Sequence, residues 1–223
     1  MPHLINSTDI HTFADLHGSD LSNQDFSGLD FYGSDLSEAD LSGGTFVNCD
    51  FQFTNLDGAN LTNANFTGTT FRSADLQHTV IDGTNFTECD FRDADLDGVT
   101  LRNSNLTAAS FLKTNLHGIR LLNNVLFDTN FAYNSMESAN LSGQDLIETN
   151  FTDVDFLGAN LSGADLTGST LFGCLLSQVN LTNVKLSGAR LFGSRIRFSN
   201  LLGAILENVD LEELIEFRDN IQS

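Results

Sequence analysis

Residues 16–35 read LHGSD-LSNQD-FSGLD-FYGSD, and residues 36–55 repeat the scheme as LSEAD-LSGGT-FVNCD-FQFTN. A large apolar residue opens each group of five, and this frame continues without a break from Leu16 to Leu211, always with Leu, Phe, Ile or Met. A period of five matches neither the 3.6 residues per turn of a helix nor the alternation of a strand. It is typical of a repeat architecture.

The residues around each apolar position are equally regular. A small side chain often stands two positions before it, Asp or Asn stands one before it, and Gly is frequent two after it, as in Ala164-Asp165-Leu166-Thr167-Gly168. Gly, Asn and Asp tolerate the positive φ that a tight corner requires. The pattern therefore predicts that the chain turns once in every five residues.

A second period of twenty residues groups the pentapeptides in fours. The apolar positions run Leu-Leu-Phe-Phe from residue 16, and the same order returns from residues 36 and 56. Four corners would close a square coil, and stacked coils would place Phe over Phe and Leu over Leu. We therefore expect aromatic and aliphatic columns in the interior.

Tandem motifs of the form A(D/N)LXX across residues 14–211 resemble those of the pentapeptide repeat proteins. The resemblance implies an all-β fold, a right-handed quadrilateral parallel β-helix, in which the apolar residue and the small residue two before it point inward. About ten coils at the spacing of neighbouring strands, ~4.8 Å, would give a rod about 48 Å long.

Both ends of the chain depart from the repeat. The first residues place polar side chains where the frame demands apolar ones, which indicates a cap. After Leu211 the apolar residues Leu214, Phe217 and Ile221 have helical spacing, and a helix laid over the last coil would cover its unpaired edge. The sequence thus predicts an N-terminal cap (1–13), a repeat domain (14–211) and a short C-terminal capping helix (212–223).

Cysteine usage and hydropathy indicate the compartment. Cys49, Cys89 and Cys174 all occupy the inward small-residue position, so we expect three buried free thiols. Residues 1–20 lack the basic and apolar regions of a signal peptide, and no segment is apolar over the length that a membrane span needs. We expect a cytoplasmic protein that does not bind membranes.

No constellation of catalytic, cofactor-binding or metal-binding residues is evident. His17, His78 and His117 share a corner but belong to different coils, too far apart for one metal ion. An unbroken frame also leaves no long loops from which a catalytic cleft is built. We therefore expect a protein that is not an enzyme and needs no cofactor.

The outer surface is strongly acidic. The net charge is −20, and residues 1–71 contain no Lys or Arg. This charge disfavours direct binding of nucleic acid and favours a protein partner. The candidate acidic partner surface consists of Asp residues that precede apolar positions: Asp15, Asp20, Asp25, Asp30, Asp35, Asp40, Asp75 and Asp95.

Two hypotheses account for this charge. A high charge of one sign keeps a flat-sided rod soluble, which predicts a noncatalytic interaction scaffold. Alternatively, rows of carboxylates imitate duplex DNA. The family resemblance implies this second function, because members of the quinolone-resistance type act on DNA gyrase. Several of those members carry loops between coils, which this chain lacks. We adopt the scaffold and keep DNA mimicry as the alternative.

Large apolar residues also occupy outward positions toward the C-terminus. Phe172 and Phe192 hold the same position in adjacent coils and should stack in the open. Such clusters are typical of interfaces, and the resemblance implies a homodimer through the C-terminal coils as one arrangement. In the alternative arrangement, the C-terminal helix or a distorted corner covers them. The candidate apolar interface consists of Phe172, Leu175, Phe192, Phe198, Leu202 and Ile205.

Overall fold

The computed structural model describes residues 10–212 and 214–221, and it is all-β. Parallel bridges within the repeat join residues twenty positions apart, from Asp15 with Asp35 to Lys185 with Ile205. One coil therefore takes four pentapeptides, which confirms the predicted period of twenty. Each coil is held to the next by backbone hydrogen bonds, such as the 2.8 Å bond from Leu16 N to Asp35 O.

The coil has four sides, and each is named here by the residue that starts its column of bridges. Side A starts at Asp15, side B at Asp20, side C at Asp25 and side D at Asp30. Within the described residues, short β-strands form where two or three consecutive residues pair with the next coil. Side B carries β1 (Ile81–Asp82), β2 (Thr100–Arg102) and β3 (Arg120–Leu122), and side A carries β4 (Leu175–Ser177), β5 (Arg195–Arg197) and β6 (Glu216–Arg218). All these strands pair in parallel, in the orders β1-β2-β3 and β4-β5-β6.

The corners have the backbone conformation that the sequence predicts. The residue two after an apolar position has a positive φ, whether it is Gly58 (70°), Asn63 (57°) or Phe53 (57°). Gly adopts this conformation without strain, whereas a side chain such as that of Phe53 costs roughly 1–2 kcal/mol. The stacked coils on either side therefore impose the corner even where the residue disfavours it.

The interior holds the predicted aromatic columns. On side C the rings of Phe46 and Phe66 stack with centroids 4.9 Å apart, and on side D those of Phe71 and Phe91 stack at 5.0 Å. Rings of the two sides meet edge to face, as Phe66 and Phe71 do at 5.1 Å. Both geometries are favoured by the charge distribution of aromatic rings. The side D column continues as far as Phe151.

The three cysteines are buried and free, as predicted. Burial raises the pKa of the Cys49 thiol to about 11 and that of Cys174 to about 12. The Cys89 thiol, whose pKa burial also raises, lies 2.9 Å from the carbonyl oxygen of Phe66. The thiols therefore serve as small interior side chains.

We expect these thiols to react with Ellman's reagent at least ~1,000-fold more slowly in the folded protein than in guanidinium at mildly alkaline pH. The thiolate is the reactive form, and its formation requires a local opening that costs about 4 kcal/mol or more. Stopped-flow absorbance measures both rates. A cysteine that reacts at the denatured rate without denaturant would contradict the buried placement.

The predicted C-terminal capping helix (212–223) is wrong. Residues Glu216–Arg218 form β6, which continues the stack with Phe217 opposite Ile196 of β5. The partners are twenty-one residues apart, so one inserted residue precedes the strand. The edge of β5 offers unpaired backbone groups, and a strand can pair with them whereas a helix cannot.

Asn220 completes this last pairing from the inward position. Its Nδ2 donates to the carbonyl oxygen of Ile196 at 3.1 Å, and its Oδ1 accepts from the backbone N–H of Ser199 at 2.9 Å. At the opposite end, Phe13 N already donates to Tyr32 O at 2.7 Å. Residues 1–9 of the predicted N-terminal cap (1–13) lie outside the described residues.

Candidate interaction surfaces

Each Asp of the candidate acidic surface takes part in a corner. One carboxylate oxygen of Asp30 accepts the N–H of Tyr32 at 2.9 Å, and Asp75 accepts the N–H of Gln77 at 3.0 Å. This is an Asx turn, in which the side chain bonds the backbone two residues on. The same bond is made by Asp15, Asp20, Asp25, Asp35, Asp40 and Asp95.

Asn makes the same turn without a charge. Asn60 accepts the N–H of Thr62 at 3.1 Å, and Asn160 accepts that of Ser162 at 3.1 Å. The turn therefore requires a side-chain oxygen and not a carboxylate. From residue 15 to residue 50, however, this position is Asp except for Thr45. Turn geometry explains the short polar side chain and leaves the charge unexplained.

The structure spreads these carboxylates over all four sides. Asp15 and Asp35 are bridge partners on side A, and Asp20 and Asp40 are partners on side B. Among these eight residues, those on side A extend furthest along the rod, where Asp75 and Asp95 are again bridge partners, while Asp25 and Asp30 start the columns of sides C and D. The eight residues thus form an acidic surface around the N-terminal coils, extended along side A, and do not converge on a single site.

Neighbouring hydroxyl groups stabilise part of this charge. The Ser22 hydroxyl donates to Asp20 at 2.7 Å and holds the pKa of that carboxyl below its usual range. Ser27 and Ser37 lower the pKa of Asp25 and Asp35 in the same way. A hydrogen bond to the charged form favours that form, so these carboxylates stay ionised to lower pH than free ones.

The six residues of the candidate apolar interface are distributed around the C-terminal coils. Phe172 and Phe192 meet edge to face on side D, with centroids 6.3 Å apart, and Phe192 is 62% exposed. Leu175 lies half-buried on the adjoining side A. Phe198, at the corner after side A, Leu202 on side B and Ile205 on side C are exposed and do not join the Phe172–Phe192 pair on side D. Strand β6 leaves Phe192 and Phe198 uncovered.

Arginine side chains border these rings. The guanidinium carbon of Arg190 lies 5.5 Å from the ring centroid of Phe172, and that of Arg197 lies 5.3 Å from the centroid of Phe198. Both distances fall within the range of cation–π contacts. The C-terminal coils therefore present apolar groups beside positive charge, in contrast to the acidic N-terminal coils.

Sequence reasoning missed a cleft on side C. Its volume is about 320 Å³, and it is lined chiefly by Val125, Phe127, Asp145, Ile147 and Glu148. Along the described part of side C, bridges join residue 105 to 125 and residue 145 to 165, but none joins Val125 to Asp145. The cleft therefore lies where two neighbouring coils are not paired.

Backbone hydrogen bonds show how the pairing fails. In the preceding coil, Leu106 N donates to Val125 O at 2.8 Å and Ala108 N donates to Phe127 O at 2.9 Å. The corresponding N–H groups of Leu126 and Asp128 have no backbone acceptor within residues 10–212 and 214–221. Backbone donors and acceptors that bond each other elsewhere in the stack are thus not paired with each other here, and Leu126 lines the cleft.

Two large amides in the inward column account for this opening. The neighbouring coils have small residues in this column, Thr84, Ser104 and Ala164, whereas these two coils have Asn124 and Gln144, both buried. Ser104 N donates to Asn124 Oδ1 at 3.0 Å, whereas Asn124 N reaches Gln144 Oε1 only at 3.5 Å. Gln is longer than Asn by one methylene group, so its side chain holds the coils apart. The cleft could therefore have been predicted from these two departures from the repeat.

We expect the amide protons of Leu126 and Asp128 to exchange with solvent at least ~100-fold faster than those of Leu106 and Ala108. Hydrogen-bonded amides exchange only through opening, and a difference of about 3 kcal/mol in opening free energy gives that factor. Hydrogen exchange followed by NMR measures all four amides in one sample. Equal protection of the two pairs would show that the coils are paired in solution.

Two of the described histidines each pair with a single carboxylate. Within the described residues, no three His, Cys, Asp or Glu side chains are arranged to hold a metal ion. His78 and His117 instead contact Asp57 at 2.7 Å and Asp97 at 2.8 Å, and these hydrogen bonds raise the pKa of each imidazole. None of the described segments forms a helix with the length and hydropathy to cross a membrane.

A protein-family model matches most of the chain. The family model described as pentapeptide repeats matches residues 12–43, 45–83, 84–121, 135–173 and 174–212. Residues 122–134, which include one wall of the cleft, fall outside this match. No curated protein sequence matches the chain.

Two solved structures are among those similar to the chain. HetL from Nostoc sp. strain PCC 7120, a pentapeptide repeat protein involved in heterocyst differentiation regulation, is 23% identical over 96% of this chain and 91% of its own, with a TM-score of 0.34. QnrB1, a plasmid-mediated fluoroquinolone resistance protein, is 18% identical over 90% of this chain and 92% of its own, with a TM-score of 0.41.

Proposed function

Because the chain belongs to the pentapeptide repeat family and has that family's quadrilateral β-helix, we propose that it is a noncatalytic scaffold that binds protein partners on its sides. In this proposal the rod comprises about ten coils, within residues 14–211. Its acidic coils recognise a basic surface, and its C-terminal coils bind a second apolar surface, either on a partner or on another copy of the chain.

The observation that carries this proposal is the use of Asp where Asn would serve the turn. Carboxylates in one column, such as Asp15 and Asp35, belong to neighbouring coils about 4.8 Å apart, and like charges directly opposite each other destabilise a sheet. Asn at the same positions would keep the corner and remove this repulsion. The negative charge of these Asp side chains therefore does not serve the stability of the fold. It serves solubility and the attraction of a basic partner.

DNA mimicry is the second candidate, and it is favoured by the extent of the charge. Carboxylates occur on all four sides within residues 15–50, where the chain has no Lys or Arg to neutralise them. A basic cleft that normally holds duplex DNA could enclose such a rod. Mimicry predicts binding through the acidic coils alone, whereas a scaffold with two surfaces also requires the apolar C-terminal coils.

A DNA gyrase supercoiling assay across a salt series, with and without a fluoroquinolone, tests the mimic. The informative variant is Asp15→Asn with Asp35→Asn and Asp75→Asn, because Asn keeps the Asx turns of this side A column. The matched control is Phe172→Ser with Phe192→Ser. Salt-sensitive inhibition or drug protection that only the Asn variant loses would support mimicry, and no effect at any salt concentration would reject it for gyrase.

Affinity purification with the same two variants tests the scaffold. We expect partners from a lysate of the source organism that are retained by the wild-type chain and lost by one variant but not by the other. Sedimentation velocity adds the homodimer test, because Phe172→Ser with Phe192→Ser should shift a dimer to a monomer. If both variants retain the same proteins as the wild-type chain, neither surface is the site of a partner.

A further inference from the structure

The cleft on side C differs chemically from both surfaces described above. Its walls include Val125, Phe127 and Ile147, which are 54%, 69% and 43% exposed. Asp145 and Glu148 stand beside these apolar groups. A site with aliphatic and aromatic walls and carboxylates at its edge suits a ligand with an apolar stem and a cationic head.

Charge in and around the cleft is unbalanced. Among the described residues, neither Asp145 nor Glu148 has an ion-pair partner. One coil further along the same column, Asp165 is paired with Lys185, whose Nζ lies 2.8 Å from the carboxylate. Lys185 therefore forms its ion pair with Asp165 and acts on Asp145 in the cleft only as a nearby charge, without a direct contact.

A ligand of the cleft must also form hydrogen bonds with backbone groups that are unpaired there. The N–H groups of Leu126 and Asp128 need acceptors, and the coil that carries Asp145 and Ile147 faces them without the usual pairing. A free amine or metal ion could satisfy the acceptors but not the donors. A peptide satisfies both, because its backbone supplies carbonyl oxygens and its side chain supplies the cation.

We propose that the side C cleft binds an arginine side chain, together with its backbone, from an extended segment of a partner protein. The volume of about 320 Å³ is at the lower end of ligand pockets, roughly 300–1,000 Å³, and suits one long side chain better than an organic cofactor. Arginine fits better than lysine because its planar group can lie on the Phe127 ring while its five N–H donors reach carboxylate and carbonyl oxygens.

The test uses the full-length, ¹⁵N-labelled protein and the capped peptide acetyl-Val-Arg-Val-amide, titrated to millimolar concentration. We expect amide shifts in residues 123–128 and 142–148. The peptide with norleucine in place of Arg should bind at least ~10-fold more weakly, and the peptide with Glu should not bind. Shifts confined to other parts of the rod, equal binding of the norleucine peptide, or no shift with any peptide would overturn the proposal.

Matched variants separate the charges from the fold. Asp145→Asn with Glu148→Gln should weaken binding of the Arg peptide about 10-fold or more, while Asn keeps the bond that Asp145 accepts from Ile147 N at 3.2 Å. The control is Asp155→Asn with Glu88→Gln, which removes the same charges from the same positions of the repeat outside the cleft, keeps the Asx turn of residue 155 and should leave the affinity unchanged. If both variants lost the same affinity for the Arg peptide, the effect would arise from net charge alone and the proposed site would be rejected.

Closing the cleft gives an independent readout. Gln144→Ser restores the usual small inward residue and should let Leu126 and Asp128 pair with the next coil. We expect slower amide exchange at these two residues together with loss of peptide binding. Slow exchange with unchanged binding would contradict the assignment of the peptide to the open backbone. These experiments do not involve Asp15, Asp35, Asp75, Phe172 or Phe192, so their failure would leave the proposed scaffold function untouched.

Discussion

Replacement of Phe66 by Ala is expected to lower the free energy of unfolding by about 3–5 kcal/mol. Phe66 is fully buried, and its ring is stacked between those of Phe46 at 4.9 Å and Phe86 at 5.6 Å. It also meets Phe51 and Phe71 edge to face, at 5.7 and 5.1 Å. The substitution removes every one of these ring contacts and leaves a cavity in the column.

The rod cannot readily collapse around this cavity. Phe66 N donates to Asn85 O at 2.8 Å, and Phe46 N donates to Asn65 O at 2.7 Å, so the backbone of the coil is fixed from both neighbours. The cost of a cavity rises when the site cannot relax. We therefore expect a value in the upper half of the range.

Guanidinium unfolding followed by circular dichroism measures this loss. The control is Phe192→Ala, which removes a ring that is 62% exposed and should change the free energy by less than about 0.5 kcal/mol. In a repeat protein, stability is transmitted between neighbours, so the Phe66→Ala chain should also unfold less cooperatively, with a lower m-value. Equal midpoints for the two variants would show that the aromatic column does not hold the rod together.

The regular part of this fold could be predicted because the five-residue pattern determines most of each coil. The positive φ at the corner and the large apolar residue recur in every coil, and a small inward residue recurs in most, so the sequence from Leu16 to Leu211 repeats the same pattern many times. Parallel bridges between residues twenty apart then follow from the period alone. Nothing in this part requires knowledge of a distant segment.

The end of the chain could not be predicted in this way. The spacing of Leu214, Phe217 and Ile221 is helical in isolation, but β6 forms because the edge of β5 is available to pair with it. Such pairing is non-local and shifts by one residue, so neither helical spacing nor the five-residue frame reveals it.

Candidate surfaces could be predicted only where they continue the five-residue frame. The acidic residues occupy a position that the repeat defines, yet the sequence does not show that Asp15 and Asn60 perform the same turn. The cleft depends on two exceptions in adjacent coils, Asn124 and Gln144. The structural effect of a residue that departs from the repeat depends on how it packs against the coils above and below it.

A chain that ends after Leu211 is expected to lose at least ~3 kcal/mol of stability and to associate with increasing concentration. The deletion removes β6, which pairs with Arg195–Arg197, and removes Asn220, whose amide bonds the backbone of Ile196 and Ser199. Each intramolecular hydrogen bond that is lost to water costs about 0.5–1.5 kcal/mol, and the deletion removes several of them. An open parallel edge also invites pairing with another chain.

Size-exclusion chromatography with light scattering, combined with thermal unfolding, checks both effects. The control is Ile215→Ser, which changes a residue that is 62% exposed and leaves β6 in place. Association through the open edge uses backbone groups, so it should persist when Phe172→Ser and Phe192→Ser are added to the shortened chain. A shortened chain that stays monomeric, with the melting temperature of the full-length protein, would show that β6 does not protect the last coil.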